Sequence, residues 1–202
     1  METNNGEKVY YPSQTVIDNA NIKEYEKAYQ YSIENPEKFW EEQADYLNWY
    51  KHWDNVLDKS NPPFYKWFNG GKTNIILNVI DRHQNTSNRN KLALIWEGEP
   101  GDTRTFSYHA LNREVCQFAN ILTSMGVKKG DVVTIYMPQI PEQIFAMLAC
   151  AKIGAVHSVV YGGFSHESLA DRINDANSRV VITADGGYRR GKVIEMKSVV
   201  NK

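Results

Sequence analysis

Strands and helices alternate from Lys91 to the end of the chain, and this alternation most constrains the fold. Short apolar runs rich in Val and Ile predict strands, and apolar residues at helical spacing behind caps such as Ser107 predict helices. The predicted strands are Leu92–Trp96, Thr103–Phe106, Val132–Tyr136, Ala155–Tyr161 and Val180–Thr183; the predicted helices are Tyr108–Met125, Pro141–Gly154 and His166–Ala176. This order is typical of an α/β fold with a mainly parallel sheet and helical crossovers.

The first 88 residues follow a different pattern, which is helical and aromatic with irregular links. Asn35-Pro36-Glu37 predicts a helix start, and we expect that helix to run from Pro36 to His52 with an aromatic stripe that packs on a larger body. Residues 54–72 contain Pro and Gly pairs and are expected to form an extended loop. Thr73 or Asn74 is expected to cap a short helix that ends at Arg82. We therefore predict a helical, aromatic N-terminal cap over residues 1–88 and the first part of an α/β domain over residues 89–202.

Two glycine-rich loops follow predicted strands at their carboxyl ends, where parallel sheets bind ligands. The first, Tyr161–Ser165, contains Gly162 and Gly163 and could let a flat ring lie against the backbone. Taken alone, it fits a plain strand-to-helix turn capped by Ser165 better. Its glycine spacing does not match a dinucleotide fingerprint, so a nicotinamide enzyme is not supported.

The second loop, residues 184–192, combines three glycines with three cations. Gly186, Gly187 and Gly191 allow close backbone approach, and the cations are Arg189, Arg190 and Lys192. A helix is predicted to start directly after them, and helix N-termini and Arg side chains both favour phosphate. The composition indicates a site for a phosphate-rich ligand or, equally well, a solvated basic turn.

Several functional classes are disfavoured by composition. The net charge of −1 gives no field that would attract nucleic acid or a membrane, and no apolar run approaches the roughly 20 residues of a membrane span. Met1–Lys8 is polar, so no signal peptide is expected, and the chain is interpreted as cytoplasmic. Cys116 and Cys150 are expected to be buried thiols, His157 is interpreted as a core residue, and no spacing predicts a metal site. The chain offers binding elements without an obvious reactive group.

Several motifs resemble the AMP-forming acetyl-CoA synthetases, which are adenylate-forming acyl and aryl ligases. The resemblance runs from about Tyr25 to the end of the chain. The matching motifs are Lys38-Phe39-Trp40, Lys66-Trp67-Phe68, Leu77–His83, Ala93–Gly98, Lys128–Asp131, Tyr136–Pro138, Met147–Ala151 and, above all, Gly154–Ser165. The last run, together with the aromatic N-terminal cap, is specific to acetyl- and propionyl-CoA synthetases.

The resemblance implies a two-step reaction in which acetate and MgATP give acetyl-adenylate and pyrophosphate, and CoA then gives acetyl-CoA and AMP. It also implies that Arg189, Arg190, Gly191 and Lys192 hold phosphates of the CoA nucleotide. The CoA adenine pocket would be lined by Tyr161, Gly162, Gly163 and Ile194. This chain has Tyr161 where the family usually has Phe, and Lys192 where the family commonly has Arg. An arginine can bind two phosphate oxygens at once, whereas the lysine provides a single point charge.

The family is about three times longer than this chain, which ends within a helical pattern at Val193–Lys202. We therefore expect a fragment that is inactive alone, whose partners are acetate, ATP, CoA and the remainder of the enzyme. The catalytic residues and the Mg²⁺ ligands are expected beyond Lys202. A propionate–CoA ligase and a non-catalytic CoA-binding fragment stay open as alternatives.

Overall fold

The computed structural model describes residues 3, 4 and 7–202. The expectation of no signal peptide rests on Met1–Lys8, part of which lies outside these residues. The chain divides into two compact units: residues up to Leu47 together with His52–Gly71, and Asn48–Lys51 together with Lys72–Lys202. A domain boundary near residue 88 stays a prediction. Within the described residues, every helix is too short or too polar to cross a lipid bilayer.

In its described residues, the first unit contains three helices and two small antiparallel strand pairs. Its helices are α1 (Gln14–Asn19), α2 (Tyr25–Glu34) and α3 (Pro36–Ala44), and its strands are β1 (Thr3–Asn4), β2 (Glu7–Lys8), β3 (Asn55–Asp58) and β4 (Lys66–Asn69). The strands β1 and β2 pair antiparallel, as do β3 and β4. The helix start at Pro36 is confirmed, because proline occupies the first turn of α3 behind Asn35.

The predicted helix end at His52 is wrong, because α3 stops at Ala44. Beyond this point the backbone finds partners distant in sequence. The Tyr50 N–H donates to the Lys72 carbonyl (2.8 Å), and the Asn48 N–H donates to the buried Asn78 side chain (2.7 Å). These tertiary hydrogen bonds replace the i→i−4 bonds that would continue the helix, so the aromatic residues after Ala44 form no helical stripe.

The predicted extended loop over residues 54–72 is also wrong, since it contains the β3–β4 hairpin with Leu57 opposite Trp67. Aromatic side chains hold this hairpin within the unit. Trp67 contacts Trp40 edge-on with ring centroids 6.4 Å apart, and Phe68 lies 5.1 Å from Trp53. Contacts of this kind override the loop signal of the Pro and Gly pairs.

The second unit begins with α4 (Ile75–Val79), and Asn74 caps it as predicted by accepting from the Ile76 N–H at 2.9 Å. The expected end at Arg82 is too late, because Asp81–His83 form a separate 3₁₀ turn, as do Ser87–Asn90. The strands β5 (Leu92–Glu97) and β6 (Thr103–Ser107) form an antiparallel pair. The helix α5 (Tyr108–Ser124) follows, and its cap Ser107 accepts from the Ala110 N–H.

A three-stranded parallel sheet forms the centre of this unit and confirms the predicted α/β class. Its elements are β7 (Val132–Tyr136), α6 (Pro141–Ile153), β8 (Val156–Val159), α7 (His166–Asp175) and β9 (Val180–Thr183). The strand order is β8-β7-β9, and both pairings are parallel. The chain therefore passes from one side of β7 to the other, so loops from all three strands meet at their carboxyl ends.

Two clusters of buried side chains fix this sheet. The larger packs α5 and α6 on β7 and includes Val115, Leu122, Ile135, Phe145 and Cys150. The smaller joins Tyr136 and Val160 to Leu169 of α7 and to Met196. Because Tyr136 at the end of β7 and Val160 directly after β8 are buried in the smaller cluster, the loops beyond them start from fixed positions.

Candidate functional site

A cavity of about 480 Å³ lies at the carboxyl ends of the parallel strands. It falls within the usual size range of small-molecule sites. Residues from the loops after β7, β8 and β9 all contribute to it. The lining residues are Glu99, Met137, Pro138, Gln139, Gln143, Val159, Val160, Tyr161, Gly162, Gly187, Tyr188, Arg189, Ile194 and Met196.

The cationic segment after β9 is a β-hairpin. The strands β10 (Gly187–Arg189) and β11 (Lys192–Ile194) pair antiparallel, and the helix α8 spans Met196–Val200. The prediction of a loop running directly into a helix at Val193 is therefore wrong. The strand β11, which begins at Lys192, lies between the turn and α8, so none of the three cations stands at the N-terminus of that helix.

Arg190 and Gly191 form the turn of this hairpin. Both have positive φ angles, 53° and 73°, which is the signature of a type I′ turn. Glycine suits the second position because it adopts this left-handed conformation without steric cost. The turn makes Arg189 and Lys192 direct partners across the hairpin.

The pairing register places side chains on two faces of the hairpin. Gly187 pairs with Ile194, Tyr188 with Val193, and Arg189 with Lys192. Because successive side chains alternate between faces, Arg189, Lys192 and Ile194 share one face. Arg189 and Ile194 line the 480 Å³ cavity, whereas Val193 lines a neighbouring cavity of about 780 Å³.

Arg189 lies against the ring and hydroxyl of Tyr161, which follows β8. Its guanidinium donates to the Tyr161 hydroxyl at 2.5 Å, and its Cζ lies 5.2 Å from the ring centroid. Gly163 permits this approach, since a Cβ there would lie 2.7 Å from Arg189 Nη1 and 2.8 Å from Tyr161 Cε1. The two loops therefore meet through an arginine–tyrosine contact.

Tyr136, at the end of β7, holds the loop after β8 through hydrogen bonds. The buried Tyr136 hydroxyl donates to the carbonyls of Gly162 (3.3 Å) and Phe164 (3.1 Å). Burial raises the pKa of Tyr136, so the hydroxyl keeps the proton that it donates. Ser165 caps α7, as predicted, by accepting from the Ser168 N–H at 3.4 Å.

The structure brings together four of the eight predicted site residues, Tyr161, Gly162, Arg189 and Ile194, as lining of one cavity. Gly163 lies next to Arg189. The remaining three do not line the cavity: the turn consists of Arg190 and Gly191, and Lys192 pairs with Arg189 across it. Sequence reasoning missed Glu99, the Met137–Gln139 segment, Tyr188 and Met196. The position of Met137-Pro138 directly after a buried strand is a signal that could have identified that segment.

The cysteines and the metal-binding residue types of the described part of the chain lie outside this cavity or form no ligand cluster. Cys116 and Cys150 are free thiols, and burial raises the pKa of Cys150 to about 11. Among the described residues, no three His, Cys, Asp or Glu side chains converge as metal ligands would.

Comparison with known proteins gives two family matches. Residues 81–201 match the AMP-binding enzyme family, and residues 25–79 match the acetyl-coenzyme A synthetase N-terminus. The first match alone covers more than half of the chain.

Similar proteins include acetyl-coenzyme A synthetases of bacteria. That of Deinococcus radiodurans is 55% identical over 174 residues, which cover 86% of this chain and 27% of the relative. That of Leptospira biflexa is 51% identical over 199 residues (96% and 30%), and that of Campylobacter jejuni is 48% identical over 206 residues (100% and 31%). The chain thus spans about 30% of the length of these relatives. It belongs to the AMP-binding enzyme family and carries the N-terminal region found in acetyl-coenzyme A synthetases.

Proposed function

We propose that this chain is the CoA-contacting part of an AMP-forming acetate–CoA ligase. The parent enzyme would convert acetate, ATP and CoA to acetyl-CoA, AMP and diphosphate through acetyl-adenylate. The reactive groups and any Mg²⁺ ligands would lie in the rest of the enzyme, and the enzyme would work in the cytoplasm. The observation that carries the proposal is the cavity at the carboxyl ends of β7, β8 and β9, where Arg189 meets Tyr161.

The walls of this cavity suit the flat, partly apolar adenine of CoA. Met137, Pro138, Val160, Ile194 and Met196 supply apolar surface around it. Tyr161, which is 56% exposed, offers a ring face for stacking. Pockets of this kind bind mainly through apolar contact and take orientation from a few polar groups.

The cations of the hairpin suit the phosphates of the CoA nucleotide. Arg189 is half-buried beside the cavity, and Arg190 and Lys192 are exposed at its turn. Arg189 and Lys192 lie on the same face of the hairpin, so both can approach one anionic ligand. An arginine fork grips two phosphate oxygens, whereas Lys192 contributes a point charge.

The proposal predicts that Arg189→Ala in the full-length enzyme weakens CoA use selectively. Loss of one charge-assisted contact should raise the KM for CoA by about tenfold or more, with the KM for ATP within about twofold of wild type. Steady-state kinetics in both substrates measure the two values. Arg179→Ala, at an exposed arginine outside the cavity, is the matched control.

Equal effects of Arg189→Ala on CoA and ATP would remove the role assigned to this arginine. The acyl substrate is tested separately by assaying acetate and propionate side by side. One methylene changes discrimination by only about 1–3 kcal/mol in such pockets, so both acids must be compared under the same conditions.

A further inference from the structure

Glu99 contacts the cationic hairpin from a distant part of the chain. It lies in the connection between β5 and β6, 91 residues before Arg190. Its carboxylate accepts from the backbone N–H of Arg190 at 2.9 Å and from that of Gly191. The Glu99 carboxylate thus accepts hydrogen bonds from the backbone N–H groups of both central turn residues.

This contact is an anion site formed by the backbone and filled from within the chain. Successive backbone N–H groups of a turn can converge on an anion, and here the anion is the Glu99 carboxylate. Hydrogen bonds to a charged acceptor are roughly twice as strong as neutral ones. The turn N–H groups are therefore occupied, and a phosphate ligand would be left to the side chains of the hairpin.

The hairpin needs such an anchor because it is short. Each strand has three residues, and two-stranded hairpins have little stability alone. Arg189 directly precedes the turn that Glu99 holds, and it must reach both the Tyr161 hydroxyl and the cavity. A hairpin free to tilt at its tip would carry Arg189 out of this position.

We infer that Glu99 is a positioning residue for CoA binding, acting by fixing the hairpin turn and thereby the guanidinium of Arg189. The inference rests on the proposed function, since it assigns Glu99 a part in the same site. Glu99 touches no reacting atom in this role.

The electrostatic effect of Glu99 has the opposite sign and provides the test. Removing its negative charge makes the hairpin more positive, which by charge alone would attract phosphate and lower the KM for CoA. Loss of the contact that positions Arg189 would instead raise the KM for CoA. The direction of the change therefore separates the two roles.

The experiment is Glu99→Gln in the full-length enzyme, with Glu97→Gln as the control. Glu97 is an exposed carboxylate two residues earlier, so its variant removes the same charge without touching the turn. We expect Glu99→Gln to raise the KM for CoA about tenfold, while acetate-dependent pyrophosphate exchange, which needs no CoA, stays within about twofold of wild type. Glu97→Gln should leave both unchanged.

A double variant tests whether Glu99 acts through Arg189. In the Arg189→Ala background, Glu99→Gln should change the KM for CoA by no more than about threefold, because the group that it positions is gone. Full additivity of the two substitutions would overturn the inference, as would an unchanged or lowered KM for CoA in Glu99→Gln.

A failure of the proposed function gives a different experimental result from a failure of this inference. If the wild-type enzyme makes no acetyl-CoA, the function is wrong, and calorimetric titration of wild type and Glu99→Gln with CoA then decides the inference alone. A wild type that binds CoA about tenfold more tightly than the variant supports it. Equal binding, or no CoA binding by either protein, overturns it.

Discussion

Arg189 shows how a single residue depends on neighbours that are remote in sequence. Its guanidinium lies over the ring of Tyr161, in a space left open by Gly163, while Glu99 holds the turn beyond it. The Tyr161 hydroxyl accepts a hydrogen bond from this arginine. The tyrosine thus adds a polar contact to the ring surface that phenylalanine would also provide.

Tyr161→Phe is predicted to weaken CoA use modestly. The variant keeps the ring and removes one exposed hydrogen bond, so the KM for CoA should rise by about threefold and kcat should change little. Kinetics of the full-length enzyme measure this, with Tyr65→Phe, at an exposed tyrosine of the first unit, as control. A lowered KM would mean that the hydroxyl competes with phosphate for Arg189.

We predict that the stability of the protein depends on pH through Cys150. Burial raises its pKa from 9.0 to about 11, because the thiolate would lack solvent in the core. Above pH 9 the unfolded chain loses this proton before the folded chain does. The stability contribution of Cys150 is therefore complete below about pH 9 and is lost as the pH rises to about 11.

Thiol labelling at about pH 8 checks the state of Cys150 directly. We expect a disulfide reagent to modify the half-buried Cys116 in the folded protein, and to modify Cys150 only when the chain unfolds. Rapid labelling of Cys150 in the native protein would show that the α6 core opens readily.

At the scale of the element, side-chain caps determine where three of the helices begin. Asn74, Ser107 and Ser165 each accept a hydrogen bond from a first-turn N–H, which fixes where α4, α5 and α7 begin. Local sequence encodes these contacts, because donor and acceptor are only two or three residues apart. The starts of these helices were for that reason predicted correctly, whereas the end of α3 was not.

Ser107→Ala is predicted to lower the free energy of unfolding by about 1 kcal/mol, because the Ala110 N–H loses its acceptor at the start of α5. Ser124→Ala, at the exposed end of the same helix, should cost no more than about 0.5 kcal/mol. Denaturant unfolding of the two variants gives the comparison. Equal costs would contradict a capping role for Ser107.

At the scale of the whole molecule, the parallel sheet has β8 as one of its edge strands. The edge strand β8 exposes Val156 (53%) and Val159 (44%), and the relatives are about three times longer than this chain. Apolar residues on an unpaired edge strand are suited to cover by further structure. At this scale, the proposed function is that of an enzyme as long as these relatives.

The isolated 202-residue chain is predicted to form no acetyl-adenylate. The site proposed here serves the second, CoA-dependent step, and the proposed catalytic residues lie elsewhere in the enzyme. Acetate-dependent pyrophosphate exchange by the purified chain, compared with the full-length enzyme, measures this. Exchange above background would place adenylation chemistry within these residues.

The sequence by itself determined the α/β class, the three parallel strands, the starts of α3 to α7 and the two segments that carry the candidate site. These follow from apolar periodicity and caps, which act between residues close in the chain. Only the tertiary structure decided that α3 ends at Ala44, that residues 187–194 form a hairpin, and that Glu99 holds its turn. The end of α3 and the Glu99 contact depend on hydrogen bonds between segments far apart in sequence, and no local pattern encodes such partners. The hairpin is formed by neighbouring residues, but its turn residues Arg190 and Gly191 lack the Asn-Gly or Asp-Gly pair that marks such turns in a sequence.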